Sequence, residues 1–268
     1  MTPTFDWSAL TTSGFRKTRN DDSFLIFSAG IEGAIELSAE SSSPLSNEDL
    51  IFGVSDGMGG GNAGHLASSM ILQTLSETIP KTFKTAAQGL HPDYLELLEQ
   101  KVKDVHLGIN QKAATDEQFK GMGATLTLAW FTPENLYIAH AGDSRLYLFR
   151  SEETQQLTED HSFCWRKFQR GELTERQYRN NPKRSVLCEV IGGGHSKVTP
   201  SVASIPYQKG DRFMLCSDGI IDGLWEKHIH SALGKNRDST SAAANALMDR
   251  AIDNDGSDDT TLIVIDVR

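Results

Sequence analysis

The stretch LIFGVSDGMGGG, at residues 50–61, joins an apolar run to an aspartate and then to a series of glycines. The run 50–55 is short and apolar, which predicts a buried strand. Asp56 ends this strand, and the glycines that follow allow the backbone to come close to a ligand. A carboxylate fixed on a rigid strand end beside a flexible turn is typical of a binding site. A nucleotide-binding loop is not predicted, because the lysine of a phosphate-binding loop and a Rossmann-type glycine pattern are both missing.

Aspartates recur at other predicted strand ends. They are Asp21 and Asp22 before 24–27, Asp143 in the turn 142–144, Asp218 after 212–217, and Asp258 and Asp259 before 261–267. One Asp-Gly pair is an ordinary turn, but carboxylates that gather in space repel each other unless a cation neutralises them. Ligands that are all oxygen favour Mg²⁺ or Mn²⁺ over zinc. Two such ions about 4 Å apart suit the hydrolysis of phosphate esters.

The rest of the chain alternates strand signals with helix signals. Apolar or β-branched runs predict further strands at 124–131, 136–141, 145–149, 212–216 and 261–267. We interpret 136–141 and 145–149 as a hairpin around the turn 142–144. Apolar residues at helical spacing predict helices at 64–79, 94–113 and 239–252, whereas 38–49 and 81–91 have the composition of loops. Clustered helices beside hairpins predict an α+β layered domain with antiparallel sheets.

Composition limits the partners and the compartment. The chain has 268 residues and a formal net charge of −10, so an acidic surface is expected to repel nucleic acid and anionic lipid. Three cysteines, none close to another in sequence, argue against a disulfide framework and favour a reducing compartment. The N-terminus has no signal-peptide pattern and no apolar run is long enough to span a membrane. We expect one cytoplasmic domain over 1–268, with neither nucleic acid nor membrane as a partner.

Eight segments, taken in order, resemble the metal-dependent protein phosphatase family, type 2C, in its bacterial form. They are GFRKTRNDDS at 14–23, VSDGMGG at 54–60, GMGATL at 121–126, AGDSR at 141–145, LTEDHS at 157–162, GELT at 171–174 with NPKRSV at 181–186, SDG at 217–219 and DDTT at 258–261. The resemblance covers roughly residues 5–267. It implies a four-layer α-β-β-α sandwich, in which two antiparallel sheets are flanked by helices, and a flap segment around 163–192.

The resemblance also implies a site for two Mn²⁺ or Mg²⁺ ions, with a third, weaker ion in some members. A water held between the two metals would attack phosphorus, so the catalytic residues act through it. The resemblance implies that Asp56 bridges the two metals and that Gly57 contributes its backbone carbonyl. Asp218 and Asp258 would bind the first metal, and Asp22 and Asp21 would bind the second metal or its water. Asp143 and Asp222 match the positions of the third metal.

Some residues depart from the family pattern. The phosphate-binding arginine of the family falls on Lys17, which keeps the charge but loses the bidentate geometry. Arg16 or Arg19 could reach the phosphate instead, or all three could form a solvated basic turn. Asp21 replaces a longer Glu or Gln, and Asp259 replaces an Asn, so that it either tightens metal binding or points outward.

Other positions bear on proton transfer and packing. Met58 stands where many eukaryotic members carry a histidine that is proposed as the general acid, so water is the expected donor. His140 and His161 are expected to be structural. Cys216 lies in an apolar strand and is expected to be buried. Trp165 and Phe168 either pack the flap segment or touch the substrate.

The expected function is hydrolysis of phosphoserine and phosphothreonine in proteins. The expected partner is a phosphorylated protein, with a cognate Ser/Thr kinase as the enzyme whose action is reversed. Two alternatives differ in class. A regulatory module that lost turnover would typically lose the ligating aspartates, which this chain keeps. Another metal phosphoesterase would act on a small molecule or on nucleic acid, and the acidic charge disfavours nucleic acid.

Overall fold

The computed structural model describes residues 2–45, 48–59, 63–87 and 93–268, and the side chains of 84–87 are not described. The glycines at 60–61 and the residues 88–91 of the predicted loop 81–91 therefore lie outside the described residues.

The described chain folds into fourteen strands and eight α-helices. The strands are β1 (Thr4–Thr12), β2 (Asp22–Gly30), β3 (Gly33–Glu36), β4 (Glu40–Pro44), β5 (Asp49–Met58), β6 (Gly123–Ala124), β7 (Leu126–Phe131), β8 (Leu136–Ala141), β9 (Arg145–Arg150), β10 (Glu153–Gln156), β11 (Ile191–Gly192), β12 (Ser201–Ile205), β13 (Arg212–Cys216) and β14 (Thr260–Val267). The helices are α1 (Ala63–Thr78), α2 (Pro80–Ala87), α3 (Tyr94–Ala113), α4 (Trp165–Gln169), α5 (Glu175–Arg179), α6 (Asp218–Gly223), α7 (Glu226–Gly234) and α8 (Thr240–Asn254). A 3-10 turn covers Glu117–Phe119.

The strands form two antiparallel sheets. The first sheet has the order β10-β9-β13-β14-β1-β4. The second has the order β11-β6-β5-β7-β8-β12, and β2 joins it by pairing with β5 and β3. Within each strand, consecutive side chains point to opposite faces of the sheet. In β5, Leu50 and Phe52 therefore face the other sheet, whereas Ile51 faces the helices.

Three apolar layers hold the sheets and helices together. Aromatic side chains fill the space between the sheets, where Phe5 and Phe131 have ring centroids 4.8 Å apart. Helices α1 and α3 cover the outer face of the second sheet, and α6, α7 and α8 cover the outer face of the first. The α+β fold class and the four-layer α-β-β-α sandwich are thus confirmed. No helix in the described part of the chain is both long and apolar enough to cross a membrane.

Most predicted helices and strands are confirmed with small shifts of their ends, but the predicted strand 124–131 is divided at Thr125 into β6 and β7. The predicted hairpin at 136–149 is wrong. Strand β8 pairs with β7 and β12, whereas β9 pairs with β10 and β13 in the other sheet. The turn 142–144 therefore carries the chain from one sheet to the other. Gly142 has a φ of 118°, a backbone conformation that favours glycine and allows this sharp crossing.

Two predicted loops also contain regular structure. The segment 38–49 holds β4, a polar strand at the sheet edge that pairs with β1. The sequence analysis interpreted this Ser-rich segment as a loop. An edge strand can be exposed to solvent and therefore polar, so β4 lacks the apolar pattern of a buried strand. The segment 81–91 begins inside α2, whose first residue is Pro80, a position where proline favours helix initiation.

Candidate metal centre

The predicted aspartates meet where strands of both sheets end. Asp22 and Asp56 are paired in the register of β2 and β5. Ser217, which follows β13 in the other sheet, donates a hydrogen bond from its hydroxyl to Asp22 Oδ2 at 2.6 Å. The same hydroxyl accepts from the Thr261 backbone N–H at 3.0 Å. Ser217 therefore joins the two sheets beside the acidic residues, a contact across 195 positions that the sequence did not reveal.

Burial and mutual repulsion raise the pKa values of these carboxyls. For Asp56, burial and the nearby carboxylates of Asp22 and Asp218 raise the pKa well above its usual range. Burial also raises the pKa of Asp218, and the carboxylate of Asp143 is the next largest cause. The pKa of Asp22 rises to about 6 through burial, although the Ser217 hydrogen bond opposes the rise. Because each of these carboxylates raises the pKa of its neighbours, the residues form one electrostatic cluster.

The donor chemistry of this cluster fits a hard divalent cation. Asp22 Oδ1 and Asp218 Oδ1 are buried and make no hydrogen bond within the described residues. A buried carboxylate oxygen without a partner is costly unless a cation or another donor satisfies it. Across the described ranges, no three His, Cys, Asp or Glu side chains form a ready-made cage around one point. Carboxylates that repel each other are expected to stay apart until a cation draws them in.

Gly57 and Asp21 lie where β5 approaches the start of α1. The Gly57 backbone N–H donates to the Asp21 carbonyl at 3.1 Å. A Cβ at position 57 would collide with the carbonyl oxygens of Gly64 and Asp21, so only glycine fits there. The Asp21 carboxylate accepts from the His65 backbone N–H at 3.1 Å, in the first turn of α1. The short side chain of Asp21 therefore suits a helix N-terminus, where negative charge is favourable.

Asp143 is buried in the crossing between the sheets, and hydrogen bonds connect this crossing to Asp56. Thr125 Oγ1 accepts from the Asp56 backbone N–H at 2.9 Å and lies 2.7 Å from Ser144 Oγ. Burial, with Asp160 as the next contributor, raises the pKa of Asp143 to about 7. Thr125 is thus a positioning residue that links two acidic strand ends, which its sequence motif alone did not indicate.

Lys17 contacts the acidic cluster from the N-terminal turn. Its ammonium lies 2.8 Å from Asp258 Oδ1 and 3.9 Å from Asp259 Oδ2. Burial opposes the charged form, but these carboxylates outweigh it and raise the pKa of Lys17 to about 12. The exposed Arg16 instead has its guanidinium 5.2 Å from the centroid of the Phe15 ring. Of these two candidate phosphate ligands, Lys17 is the one that the structure brings to the carboxylates.

Asp259 points inward rather than to solvent. Its carboxylate accepts from the backbone N–H groups of Gly14 at 2.9 Å and Asp21 at 2.8 Å. It therefore fixes the N-terminal turn that carries Lys17. The alternative of an outward-pointing Asp259 is wrong.

The flap segment has a small core of its own and is anchored to the sandwich. Trp165, Phe168 and Tyr178 pack together with ring centroids 5.2–5.7 Å apart, so both aromatics of the sequence analysis pack this segment. Arg145 holds Asp160 through two hydrogen bonds of 2.8 and 2.7 Å, and the Tyr178 hydroxyl donates to the same carboxylate at 2.6 Å.

Arg184 is a cation of the flap segment that the sequence analysis did not single out. Its guanidinium contacts the carboxylate of Asp222 and lies 4.0 Å from Asp218 Oδ2. Asp222 belongs to α6, one turn after Asp218. An arginine in a basic, polar stretch gives no signal of such a contact, because the contact depends on how the flap segment folds back.

The histidines and Cys216 have structural surroundings. His140 is fully buried between Thr127 and the Glu159 carbonyl, and burial lowers its pKa to about 3. His161 Nδ1 accepts from the Gly142 backbone N–H at 3.3 Å, and burial lowers its pKa. Burial also raises the pKa of the Cys216 thiol. The structural roles expected for these residues agree with their contacts.

Comparisons with known proteins give one consistent family. Residues 38–252 match the profile of the family described as Protein phosphatase 2C. The chain is 31% identical over 221 residues to the serine/threonine phosphatase stp of Listeria welshimeri, a match that spans 82% of this chain and 85% of that protein. The catalytic domain of the serine/threonine protein phosphatase PstP, solved with two manganese ions, has a TM-score of 0.77 and 26% identity over 99% of both chains. The phosphatase MsPP of Mycobacterium smegmatis, solved with cacodylate, has a TM-score of 0.74 and 28% identity over 98% of both chains.

Proposed function

The chain belongs to the protein phosphatase 2C family, and on this premise we propose that it hydrolyses phosphoserine and phosphothreonine in proteins with the help of divalent metal ions. The observation that carries the proposal is the buried acidic cluster, in which Asp22 and Asp218 each keep a carboxylate oxygen without a partner among the described residues. Mn²⁺ and Mg²⁺ both suit an all-oxygen donor set.

Each acidic residue has a proposed part in holding the ions. When bound, the ions supply Lewis-acid chemistry that activates water and neutralises charge on the phosphoryl group. Asp56 lies centrally, because its carboxyl interacts with four of the other acids. The full proposed set is Asp56, Asp218 and Asp258 as catalytically essential ligands, Gly57 through its carbonyl, Asp22 with Asp21 beside it, and Asp143 and Asp222 for a third ion.

Lys17 is the proposed phosphate ligand. Its side chain is 38% exposed and ion-paired with Asp258, so the ammonium is both accessible and next to the acids. A phosphate that enters the cluster offers this ammonium a second anionic partner. Met58 is exposed and cannot donate a proton, so water is the proposed donor to the leaving oxygen.

The proposed setting is a cytoplasmic signalling pair. The substrate is a phosphorylated protein, and the reaction that supplies it is phosphate transfer by a Ser/Thr kinase. All three cysteines are free, which supports a reducing compartment. We further propose that residues 1–268 act as one domain and that the flap segment at 163–192 borders its substrate site.

The test is hydrolysis of a phosphothreonine peptide by the full chain in Mn²⁺ and in EDTA. We expect turnover only with Mn²⁺, and a loss of about 10³-fold or more in Asp56→Ala and Asp218→Ala, because each removes an ion ligand. Asp104→Ala removes an exposed aspartate on α3 and should keep full activity. Mn²⁺ binding without turnover in the unaltered protein would overturn the proposal in favour of a regulatory module.

A further inference from the structure

Two arginines of the flap segment hold α6, and they do so in different ways. Arg179 donates to main-chain carbonyl oxygens at the end of this helix, Asp222 O at 2.9 Å and, just after the helix, Leu224 O at 3.1 Å. Arg184 instead contacts side-chain carboxylates, those of Asp222 and, at 4.0 Å, Asp218. Arg179 therefore contacts only the main chain here, whereas Arg184 contacts carboxylates that belong to the acidic cluster.

Arg184 is placed to act as a counter-ion. Its side chain is 13% exposed, and those of its partners Asp218 and Asp222 are 14% and 22% exposed. Low exposure strengthens the interaction, because solvent screens it less. Lys17 is a second cation of the cluster and is paired with Asp258. Thus protein cations already partly balance the carboxylates that the proposed function assigns to metal ions.

The chain around Arg184 links this ion pair to the position of the flap segment. Arg184 is the last residue of a tight turn, in which its backbone N–H donates to the Asn181 carbonyl at 2.9 Å. Three residues after Arg184, Leu187 forms a β-bridge with Ser162 at the base of the segment. Lys183, the neighbour of Arg184, is exposed. The contact with Asp222 is therefore a tether between an otherwise exposed turn and the acidic cluster.

We propose that Arg184 is a built-in competitor of the metal centre: its guanidinium occupies Asp222 and faces Asp218, and a divalent cation that binds Asp222 displaces it and releases the turn at 181–185. The inference rests on the proposed function. A guanidinium and a divalent ion cannot both take the same carboxylate oxygens, and their like charges repel each other. Arg184 thereby sets how much metal the reaction requires and couples metal binding to the flap segment.

Calorimetric titration of the full chain with MnCl₂ is the first arm of the test. Arg184→Gln removes the charge and should tighten the weakest Mn²⁺ site by about 5- to 150-fold, the usual range of coupling between two binding events. Arg184→Lys keeps the charge and should stay close to the unaltered protein. Arg176→Gln, which removes an exposed arginine of the same segment, is the matched control and should change nothing.

Limited trypsin digestion, followed by mass spectrometry, is the second arm, and its readout is independent of activity. Cleavage after Lys183 should accelerate in the unaltered protein as Mn²⁺ fills the weakest site. In Arg184→Gln it should be fast with or without Mn²⁺.

The outcomes separate the two proposals. Equal Mn²⁺ affinities in all variants, with cleavage after Lys183 that ignores Mn²⁺, would refute the role of Arg184 while the metal centre stands. No Mn²⁺ binding to any variant would overturn the metal centre and the competitor together. Looser Mn²⁺ binding in Arg184→Gln would also refute the competitor, because it would make Arg184 a support of the site.

Discussion

Two buried groups of charges in this molecule are balanced in different ways. Asp266 is held by Arg212 through hydrogen bonds of 2.6 and 2.8 Å, and the same guanidinium also donates to main-chain carbonyls of Leu233 and Lys235. Asp22, also buried, accepts a hydroxyl hydrogen bond at one oxygen, and its other oxygen has no partner in the described part of the chain. The first group is completed by the protein itself. Under the proposed function, a cation from solution completes the second, and this difference separates a structural charge from a binding site.

Breaking the completed group should have the largest effect on stability. Arg212→Met removes the counter-ion that binds both oxygens of Asp266 and leaves this buried carboxylate with Arg268, which donates to Oδ2 at 2.9 Å, so we expect a loss of about 3 kcal/mol in the free energy of unfolding. Urea unfolding measures this, and the loss should be the same in Mn²⁺ and in EDTA. If Mn²⁺ restored the lost stability, the Arg212–Asp266 pair and the acidic cluster would not be independent.

Removing the charge of Asp22 should instead increase the free energy of unfolding. The folded-state pKa of Asp22, about 6, exceeds its ordinary value of 3.8, so ionisation in the fold is penalised. The penalty is small at pH 4, grows as the pH rises from 3.8 to about 6, and is complete above this value. Asp22→Asn should therefore stabilise the metal-free protein at pH 7.5, by on the order of 2 kcal/mol, with a much smaller gain at about pH 4. Urea unfolding in EDTA at both pH values checks this, and a destabilised variant at pH 7.5 contradicts it.

Asp49 offers a matched control away from the metal centre. Burial raises its pKa to about 6, although a hydrogen bond of 2.8 Å from Trp130 opposes the rise. Asp49→Asn keeps an acceptor for Trp130 and should stabilise the protein at pH 7.5 by up to about 2 kcal/mol, again with a much smaller gain at about pH 4. The difference from Asp22→Asn lies in the response to Mn²⁺, which Asp49→Asn should retain in full. If Mn²⁺ stabilised Asp49→Asn less than the unaltered protein, Asp49 could not be separated from the metal centre.

The smallest expected effect concerns the cation beside the acids. Lys17→Arg restores a group that can hold a phosphate through two parallel hydrogen bonds. We expect KM for a phosphothreonine peptide to fall about two- to fivefold with little change in kcat. Arg16→Lys is the control and should leave KM unchanged. An increase in KM for Lys17→Arg would indicate that the compact ammonium is what the site requires.

Local sequence patterns predicted most of the fold and the acidic residues of the site. Apolar runs gave β5 and β13, and the aspartates at their ends, Asp56 and Asp218, do share one electrostatic cluster. The turn at 142–144 was assigned wrongly, because a short Gly-Asp-Ser link between two strands has the same composition whether it closes a hairpin or crosses between sheets. Only the pairing partners of β8 and β9 distinguish the two.

The residues that the sequence did not reveal all act over long separations. Ser217 meets Asp22, Thr125 meets Asp56, and Arg184 meets Asp222. A hydroxyl or a guanidinium carries no local mark of such a partner, since the contact forms only when distant strands or the flap segment fold together. The sequence therefore predicted the acidic residues of the site, but not the residues that hydrogen-bond to them or pair with them.

Unfolding of the full chain in Mn²⁺ and in EDTA, at pH 5 and pH 7.5, tests the central claim most directly. Buried carboxyls with raised pKa values should make the metal-free protein less stable at pH 7.5 than at pH 5, because they must ionise within the fold. Mn²⁺ at 100 times its dissociation constant should restore about 2.7 kcal/mol at pH 7.5 and less at pH 5, where protons compete for the same oxygens. Equal stability in Mn²⁺ and EDTA at both pH values would contradict the assignment of the acidic cluster as a metal centre.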